Sequence, residues 1–243
     1  MTARADYGID APPVVLGLTI GGVIALLLGL VVLQFLPGPR WLVLSLGYLA
    51  VLAGIALLVQ PMLMVWSSTV GKLRMRKWLI DSLNLRGNET VLDVGCGRGL
   101  LLNEAARRLT SGRAVGVDLW QVEDQSGNRP EATLRNARAE GVEGRVEVKT
   151  GDMRELPLPD SSVDAVVSSM AIHNVREKEG RAAAIREIHR VLKAGGRAAL
   201  LDFQCTDEYL ATLQALGWQD VRRSGLSFRM FPPVRVVSGR KPA

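Results

Sequence analysis

The stretch TVLDVGCGRG, from Thr90 to Gly99, decides the fold of this 243-residue chain. Its first half is apolar, as in a buried strand, and its second half is a turn with three glycines. Leu100 to Leu109 follows with a helical pattern that ends at Ser111 and Gly112. Glycines in such a turn let the backbone approach a ligand closely, and the start of the next helix offers free N–H groups. The stretch therefore predicts a strand, loop and helix unit that binds a ligand.

The spacing of the glycines separates two kinds of cofactor. Gly95, Gly97 and Gly99 follow the pattern G-x-G-x-G, whereas a dinucleotide-binding turn has the pattern G-x-G-x-x-G. Asp93 stands two positions before the first glycine. A carboxylate there would repel a pyrophosphate but could pair with a cationic amino group. The combination favours a cofactor that carries an amino acid.

Three more short apolar strands are predicted downstream. Ala114–Asp118 ends in a carboxylate about 20 residues after the glycine turn, the distance at which such folds bind ribose hydroxyls, although a carboxylate there can also cap a helix. Val146–Thr150 is followed by Gly151–Met153, and Ala165–Ser169 forms the fourth strand. Strands that alternate with helices predict an α/β fold with an open, mainly parallel sheet, and ligands bind beyond the carboxyl ends of its strands.

These elements together resemble the class I S-adenosylmethionine (SAM)-dependent methyltransferases. The glycine turn is similar to the first signature motif of that family, and Gly151–Met153 to its Gly-Asp-x element. Ile188–Arg197 resembles its helix-to-strand turn, with Ala194 where proline is usual. The resemblance covers about Leu85 to Val237. It implies a seven-stranded, mainly parallel Rossmann-like sheet and methyl transfer from SAM.

The resemblance also implies roles for single residues. Asp93 would reach the ammonium group of the methionine moiety, Asp118 would bind the ribose, and Asp152 would accept a hydrogen bond from the adenine amino group. Cys96 is expected to be a small filler beside the cofactor and not a nucleophile. The residues expected to bind SAM are Asp93, Gly95, Cys96, Gly97, Gly99, Asp118, Leu119, Asp152, Met153 and Ser168.

His173 follows the fourth strand and is the candidate catalytic residue. It would face the methyl group and the acceptor, and its unperturbed pKa near 6.5 suits proton acceptance. A base is optional, because alignment of the reactants supplies most of the acceleration of a methyl transfer. His173 and Asn174 can equally form a polar wall or cap the next helix. Apart from His189, expected to be partly exposed on a helix, the chain has no further histidine and only two cysteines, so we expect no metal site.

The first quarter of the chain predicts a transmembrane hairpin. Val14–Leu36 has roughly 23 apolar or small residues, enough to cross a hydrocarbon core of ~30 Å, and a second span covers about residues 41–60. Pro37–Arg40 breaks the helix between them. The first span is too long for a signal peptide and lacks a cleavage site. The alternative is a pair of buried helices in a soluble core. Some small residues could pack against partner helices: Gly17, Gly21, Gly22 and Gly29.

Positive charges orient this hairpin. The connecting loop carries one cation, Arg40, whereas four cations follow the second span. The positive-inside bias therefore predicts that the domain and the N-terminus lie in the cytoplasm. We expect residues 1–66 to form the hairpin and residues 67–243 the methyltransferase domain. Trp66–Ile80 is either an amphipathic helix among the lipid headgroups or the first helix packed on the domain. Four cations follow the second span closely: Lys72, Arg74, Arg76 and Lys77.

The acceptor is expected to be small or lipid-like. A formal charge of +6 suits nucleic acid or an anionic membrane, but only 5% of residues are aromatic and no nucleic-acid methyltransferase motif is present, which disfavours nucleic acid. The pocket would be closed by Trp66–Ile80, Trp120–Pro130 and Ser224–Pro233, beside the membrane. Two alternatives stay open: a membrane-anchored SAM-binding protein without turnover, and a nicotinamide-dependent oxidoreductase. The acceptor atom and the oligomeric state also stay open.

Overall fold

The structure is a computed structural model that describes residues 4–243. It begins with two long helices, α1 at Pro12–Phe35 and α2 at Arg40–Trp66. A π-helical turn at Ser67–Gly71 joins α2 directly to α3 at Lys72–Asp81, so that Arg40 to Asp81 is one helix of 42 residues. The expected domain boundary between residues 66 and 67 lies inside this helix, and no loop marks it.

The two helices of the hairpin pack through their glycines. A Cβ atom placed on Gly29 would lie 2.9 Å from the carbonyl oxygen of Gly47, and one on Gly54 would lie 3.0 Å from that of Gly22. The backbones therefore approach closely. Gly22 and Gly29 thus face the other helix of the hairpin, whereas a Cβ on Gly17 would meet nothing within 4 Å.

Little of the apolar surface of the hairpin is buried in this structure. Only 11% of the most apolar window of α1 and 17% of that of the helix starting at Arg40 are buried, and both helices are long and apolar enough to cross a membrane. Large side chains such as Leu27, Leu49 and Leu52 are more than half exposed. Within residues 4–243, the rest of the chain does not cover these surfaces.

The remainder of the chain forms one seven-stranded sheet with helices on both faces. The sheet order is β3-β2-β1-β4-β5-β7-β6; the first five strands are parallel, and β7 runs antiparallel to both β5 and β6. This confirms the predicted α/β fold with a mainly parallel, Rossmann-like sheet. Its elements are β1 Thr90–Val94, α4 Leu100–Arg108, β2 Arg113–Asp118, α5 Pro130–Ala139, β3 Val146–Thr150, β4 Val163–Ser169, α6 Lys178–Val191, β5 Leu192–Asp202, α7 Thr206–Ala215, β6 Gln219–Arg223 and β7 Arg235–Arg240, with short 3-10 turns at Glu143–Arg145 and Ile172–Asn174.

Alternating side chains of the strands fill two apolar layers. Val91 of β1 packs in the layer formed with α3, α4 and α5, whereas Leu92 and Val94 pack with α6 and α7. Helix α3 buries Leu79 and Ile80 in the first layer, while Trp78 is 44% exposed. Of the two interpretations of Trp66–Ile80, the structure therefore supports a helix packed on the domain. The sheet fixes the carboxyl ends of β1, β2, β3 and β4 along one edge, where the candidate site lies.

Candidate active site

A cavity of about 230 Å³ lies at the carboxyl ends of β1 to β4. Five of the residues predicted to bind the cofactor line it, namely Gly95, Asp118, Leu119, Asp152 and Met153. The others lie around or beneath it. Its full lining is Gly95, Val117, Asp118, Leu119, Gln121, Asp124, Gly151, Asp152, Met153, Arg154, Ala171, Asn174, Val175, Arg176 and Glu177.

The glycine turn forms one wall of the cavity and leaves no room for side chains. Gly95 has φ +71°, and a Cβ there would lie 2.2 Å from the Cβ of Ala171. Gly97 has φ +50°, and its Cβ would lie 2.5 Å from Oε1 of Gln125. Both positions therefore require glycine for the backbone angle as well as for space.

Asp93 lies beneath the turn and braces it. Its side chain is buried, and Oδ2 accepts a hydrogen bond of 2.9 Å from the backbone N–H of Leu102 in the first turn of α4. Burial raises the pKa of Asp93 to about 8, and the negative charge of Asp118 adds to this shift. In this structure Asp93 supports the loop from below and does not line the cavity.

Cys96 and Ser168 are also buried below the cavity surface. Burial raises the pKa of the Cys96 thiol well above its usual value, so it stays protonated at neutral pH. This agrees with an inert filler and not a nucleophile. The hydroxyl of Ser168 donates to the carbonyl oxygen of Val94 over 2.8 Å and so joins the ends of β4 and β1.

Asp118 ties the end of β2 to the glycine turn. Its Oδ2 accepts from the backbone N–H of Gly97 over 2.8 Å, while Oδ1 accepts from the N–H of Trp120 and from Nδ2 of Asn128 over 2.6 and 3.1 Å. A carboxylate offers about four lone-pair positions, so three are occupied. A ligand that needs both oxygens must therefore share Asp118 with Asn128 or displace that amide.

Asp152 pairs with a neighbour that sequence reasoning did not consider. Nε and Nη2 of Arg154 donate to its carboxylate over 3.0 and 2.6 Å. The Arg154 side chain lowers the pKa of Asp152, so this carboxylate is ionised at neutral pH. The pair forms the side of the cavity that follows β3.

The cavity carries an excess of acidic groups. Its carboxylates belong to Asp118, Asp124, Asp152 and Glu177, against the two guanidinium groups of Arg154 and Arg176. Burial raises the pKa of Asp124, and the charge of Asp118 raises it further, whereas His173 and a hydrogen bond with Asn174 act in the opposite direction. Such a lining favours a cationic ligand.

His173 lies on the 3-10 turn after β4, between two residues that line the cavity, Ala171 and Asn174. Its Nδ1 lies 2.7 Å from Oδ1 of Asp202, although the contact is not aligned as a regular hydrogen bond. The edge of its ring meets Phe203 with the centroids 4.6 Å apart. The predicted catalytic residue is therefore beside the cavity and paired with a buried carboxylate.

The N-terminal segment was missed by the sequence analysis and completes the surroundings of the glycine turn. Oδ1 of Asp10 accepts from Nε2 of Gln125 over 3.1 Å, and Oε1 of Gln125 accepts from the backbone N–H of Arg98 over 2.8 Å. The guanidinium of Arg98 donates to Oδ2 of Asp6 over 2.7 Å. No local pattern predicts these contacts, which join residues 27 to 115 positions apart.

The charges after the second span also differ from expectation. Lys72 is only 5% exposed and donates to the carbonyl oxygens of Tyr7 and Gly8 and to Oδ1 of Asp10. Arg76 pairs with Glu104 and Glu140. Two of the four cations therefore hold the domain together and do not face a membrane surface.

Sequence comparison shows what this region is similar to. Residues 92–200 match the family model described as "Methyltransferase domain". The chain is 35% identical, over 129 residues, to the ubiquinone/menaquinone biosynthesis C-methyltransferase UbiE of Enterobacter sp. (strain 638), covering 53% of this chain and 48% of that protein. The chain thus spans about half the length of the curated relatives it matches.

Solved structures share the fold. The [4+2]-cyclase SpnF has a TM-score of 0.60 at 21% identity, covering 70% of this chain and 81% of its own. A SAM-dependent O-methyltransferase from Thermotoga maritima has a TM-score of 0.56 at 19% identity, covering 70% and 65%. Because a cyclase is among them, the fold alone does not define the reaction. Residues 92–200, which include the glycine turn, are similar in sequence to a methyltransferase domain.

Proposed function

We propose that this protein transfers a methyl group from SAM to a small or lipid-like acceptor at the cytoplasmic face of a membrane. The observation that carries the proposal is the acidic cavity beside the glycine turn, with Asp118 and Asp152 at the ends of adjacent strands. SAM carries a sulfonium and an ammonium group, so an acidic lining complements its charge. A nicotinamide dinucleotide would instead bring a pyrophosphate to the same wall.

Different residues of the cavity would contact different parts of the cofactor. The turn at Gly95 and Gly97 would lie against the methionine moiety, and a bound ammonium group would favour the ionised form of Asp93 beneath the turn. Asp118 would take the ribose, and the Asn128 amide would give up part of its contact. Asp152 and Met153, which follow β3, would lie at the adenine.

The chemistry needs alignment more than acid–base groups. An electron pair of the acceptor attacks the methyl carbon as the carbon–sulfur bond breaks, and the bonding pair stays on sulfur to give the neutral thioether S-adenosylhomocysteine. A fixed site that excludes water can supply much of the acceleration by holding the two reactants in line. The walls formed by Ala171, Asn174 and Val175 are placed to hold the acceptor near the methyl group.

A membrane-dissolved acceptor is supported by the way the hairpin meets the cavity. Asp124 lines the cavity, and its carbonyl oxygen accepts from the backbone N–H of Ala11, which directly precedes α1. Asp10 in turn contacts Ser68 at the end of α2. Both ends of the exposed apolar hairpin therefore meet the domain beside the cavity. The relative named for ubiquinone and menaquinone biosynthesis favours an apolar, ring-bearing acceptor class.

The orientation follows from the same contacts. Because residues 6–11 pack on the domain, the segment before α1 and the domain would lie on one side of the membrane. The basic residues that stay on the surface after the second span, Arg74 and Lys77, favour the cytoplasm as that side. We assign α1 and α2 as the two spans, and residues 67–243 together with the segment before α1 as the methyltransferase unit.

The test is methyl incorporation by the full-length chain in detergent. The protein is incubated with SAM labelled in its methyl group and a bacterial lipid extract, and label is counted in the organic phase. Label that requires protein and extract supports the proposal. SAM binding with no label in lipid or aqueous small-molecule fractions would instead indicate a SAM-binding protein without turnover.

A further inference from the structure

A buried polar cluster stands behind the candidate catalytic histidine. Asp202, the last residue of β5, is 1% exposed, as is Tyr209 of α7. The Tyr209 hydroxyl donates to Oδ2 of Asp202 over 3.0 Å, and the backbone N–H of Phe203 donates to Oδ1 over 2.8 Å. Nδ1 of His173 lies 2.7 Å from the same Oδ1. Within residues 4–243, no lysine or arginine forms an ion pair with Asp202, and the nitrogen that lies beside its carboxylate is that of His173.

The donors around Asp202 determine whether the histidine nitrogen that faces it carries a hydrogen. An ionised carboxylate can only accept hydrogen bonds, and it is favoured when several donors point at it. At 2.7 Å a bare nitrogen lone pair would be repelled by the carboxylate oxygen, so the ring nitrogen that faces Asp202 must carry the hydrogen, although this N–H is not aligned as a regular hydrogen bond. In a neutral histidine ring, the hydrogen-bond partners of the two nitrogens decide which nitrogen carries the hydrogen, so the surroundings of His173 select its tautomer.

The second ring nitrogen of His173, Nε2, is available to a ligand. Nε2 of His173 makes no hydrogen bond within the described part of the chain, and it is not among the fully buried polar atoms that lack a partner. Solvent therefore reaches it. His173 is not itself part of the lining, but the next residue, Asn174, is, and His173 acts electrostatically on Asp124 of the lining, so its ring lies near the edge of the site.

We propose that Asp202 and Tyr209 are positioning residues that hold His173 as the Nδ1–H tautomer, with Nε2 as the proton acceptor for the methyl acceptor. This inference rests on the proposed function. The acceptor's X–H proton passes to Nε2, the X electron pair forms the bond to the methyl carbon, and the carbon–sulfur pair stays on sulfur. The products are methylated acceptor, S-adenosylhomocysteine and an imidazolium whose charge the buried Asp202 balances.

The chain provides its own spectroscopic reference. His189 and His173 are its two histidines. Nε1 of Trp218 donates to Nδ1 of His189 over 2.8 Å, so that ring must hold its hydrogen on Nε2. The two neutral rings are therefore expected to be opposite tautomers.

The experiment is nitrogen NMR of the full chain labelled with ¹⁵N-histidine in detergent, at alkaline pH where both rings are neutral. We expect one Nδ1–H ring, lost in His173→Gln, and one Nε2–H ring. In Asp202→Asn and Tyr209→Phe, the His173 signals should shift toward the Nε2–H form or average between forms, while His189 stays unchanged. Tyr48→Phe, in the hairpin, is the control and should change neither ring.

Two further measurements separate this inference from the proposed function. SAM binding to Asp202→Asn by calorimetry should stay within about threefold, whereas methyl incorporation from the lipid extract should fall about 10- to 100-fold, as expected when the partner that orients a base is lost. An Nε2–H ring for wild-type His173, with normal SAM binding, would overturn the inference alone. Absence of SAM binding by the wild type would instead contradict the proposed function, whatever the tautomer. Tyr209→Phe repeats the test if Asp202→Asn does not fold.

Discussion

Nζ of Lys72 lies 2.8 Å from Oδ1 of Asp10, joining the helix that leaves the hairpin to the segment that enters it. The same ammonium donates to the carbonyl oxygens of Tyr7 and Gly8, and its side chain is almost fully buried. Asp10 also contacts Gln125, which supports the glycine turn through Arg98. The base of the hairpin and the cofactor site are therefore parts of one hydrogen-bonded network.

Replacing Lys72 should destabilise this network. Lys72→Met leaves Asp10 and two carbonyl oxygens without their donor, and since Asp10 is partly exposed we expect a loss of about 1–3 kcal/mol in the free energy of unfolding. SAM affinity should fall as well, because Asp10, which accepts a hydrogen bond from Gln125, is no longer held in place by Lys72. Chemical denaturation and calorimetry in detergent measure both effects. Lys77→Met, on the exposed side of α3, is the control, and equal effects of the two variants would contradict this role.

Removing the N-terminal segment should weaken cofactor binding more than removing the hairpin. A chain that starts at Ser67 lacks Asp6 and Asp10 and so loses the contacts to Arg98 and Gln125. A second chain keeps residues 4–11 and replaces residues 12–66 with a short Gly/Ser linker. Such a linker can close the gap because the backbone N–H of Asp10 lies 3.0 Å from Oγ of Ser68.

Calorimetry with SAM compares these two chains. We expect the linked chain to bind SAM about as tightly as the full-length protein, and the shorter chain at least about tenfold more weakly, which corresponds to a loss of about 1.4 kcal/mol. Equal affinity of both chains would show that the N-terminal segment does not support the glycine turn.

A methyl group at Gly95 should close the site. In Gly95→Ala the new Cβ would meet the Cβ of Ala171 at 2.2 Å, at a φ of +71° that L residues rarely adopt. We expect SAM binding to fall by more than tenfold, or about 1.4 kcal/mol, while the far-ultraviolet circular dichroism stays close to wild type. Gly144→Ala is the matched control, because a Cβ at Gly144 meets nothing within 4 Å. Retained SAM affinity in Gly95→Ala would contradict the position of the site.

Asp93 should make the protein without cofactor less stable as the pH rises. Its pKa is about 8 when folded, against 3.8 for the unpaired group, so between these values the folded state binds more protons than the unfolded state. The free energy of unfolding then falls with rising pH from about 4 to about 8, by up to about 1.4 kcal/mol per pH unit from this group. Urea unfolding across this range should show a shallower slope for Asp93→Asn. An unchanged slope would indicate that Asp93 is already ionised.

The glycine turn and the strands around it could be predicted because their signals are local. The apolar run before Gly95, the glycine spacing and the carboxylates Asp118 and Asp152 lie within short stretches, and the parallel sheet brings their ends together. These local signals were enough to predict the class of the sheet and five of the residues that line the cavity. Apolar length predicted the two hairpin helices in the same way, but not that the second continues past residue 60 to Trp66 and into α3.

The remaining contacts depend on residues far apart in sequence. Asp10 and Lys72 are separated by the whole hairpin, and nothing near either residue indicates that they pair. Asp202 closes a strand and gives no signal of the His173 beside it, since that contact depends on the order of β4 and β5. Lys72 was counted as a surface charge for the same reason: composition does not show which cations are buried.

The most direct test of the central claim is calorimetric binding of SAM to the full-length protein in detergent, with NADH as the comparison ligand. The acidic cavity beside the G-x-G-x-G turn predicts saturable binding of SAM and of S-adenosylhomocysteine, one molecule per chain, and no binding of NADH. Binding of NADH without SAM by the folded protein would contradict the assignment of the site.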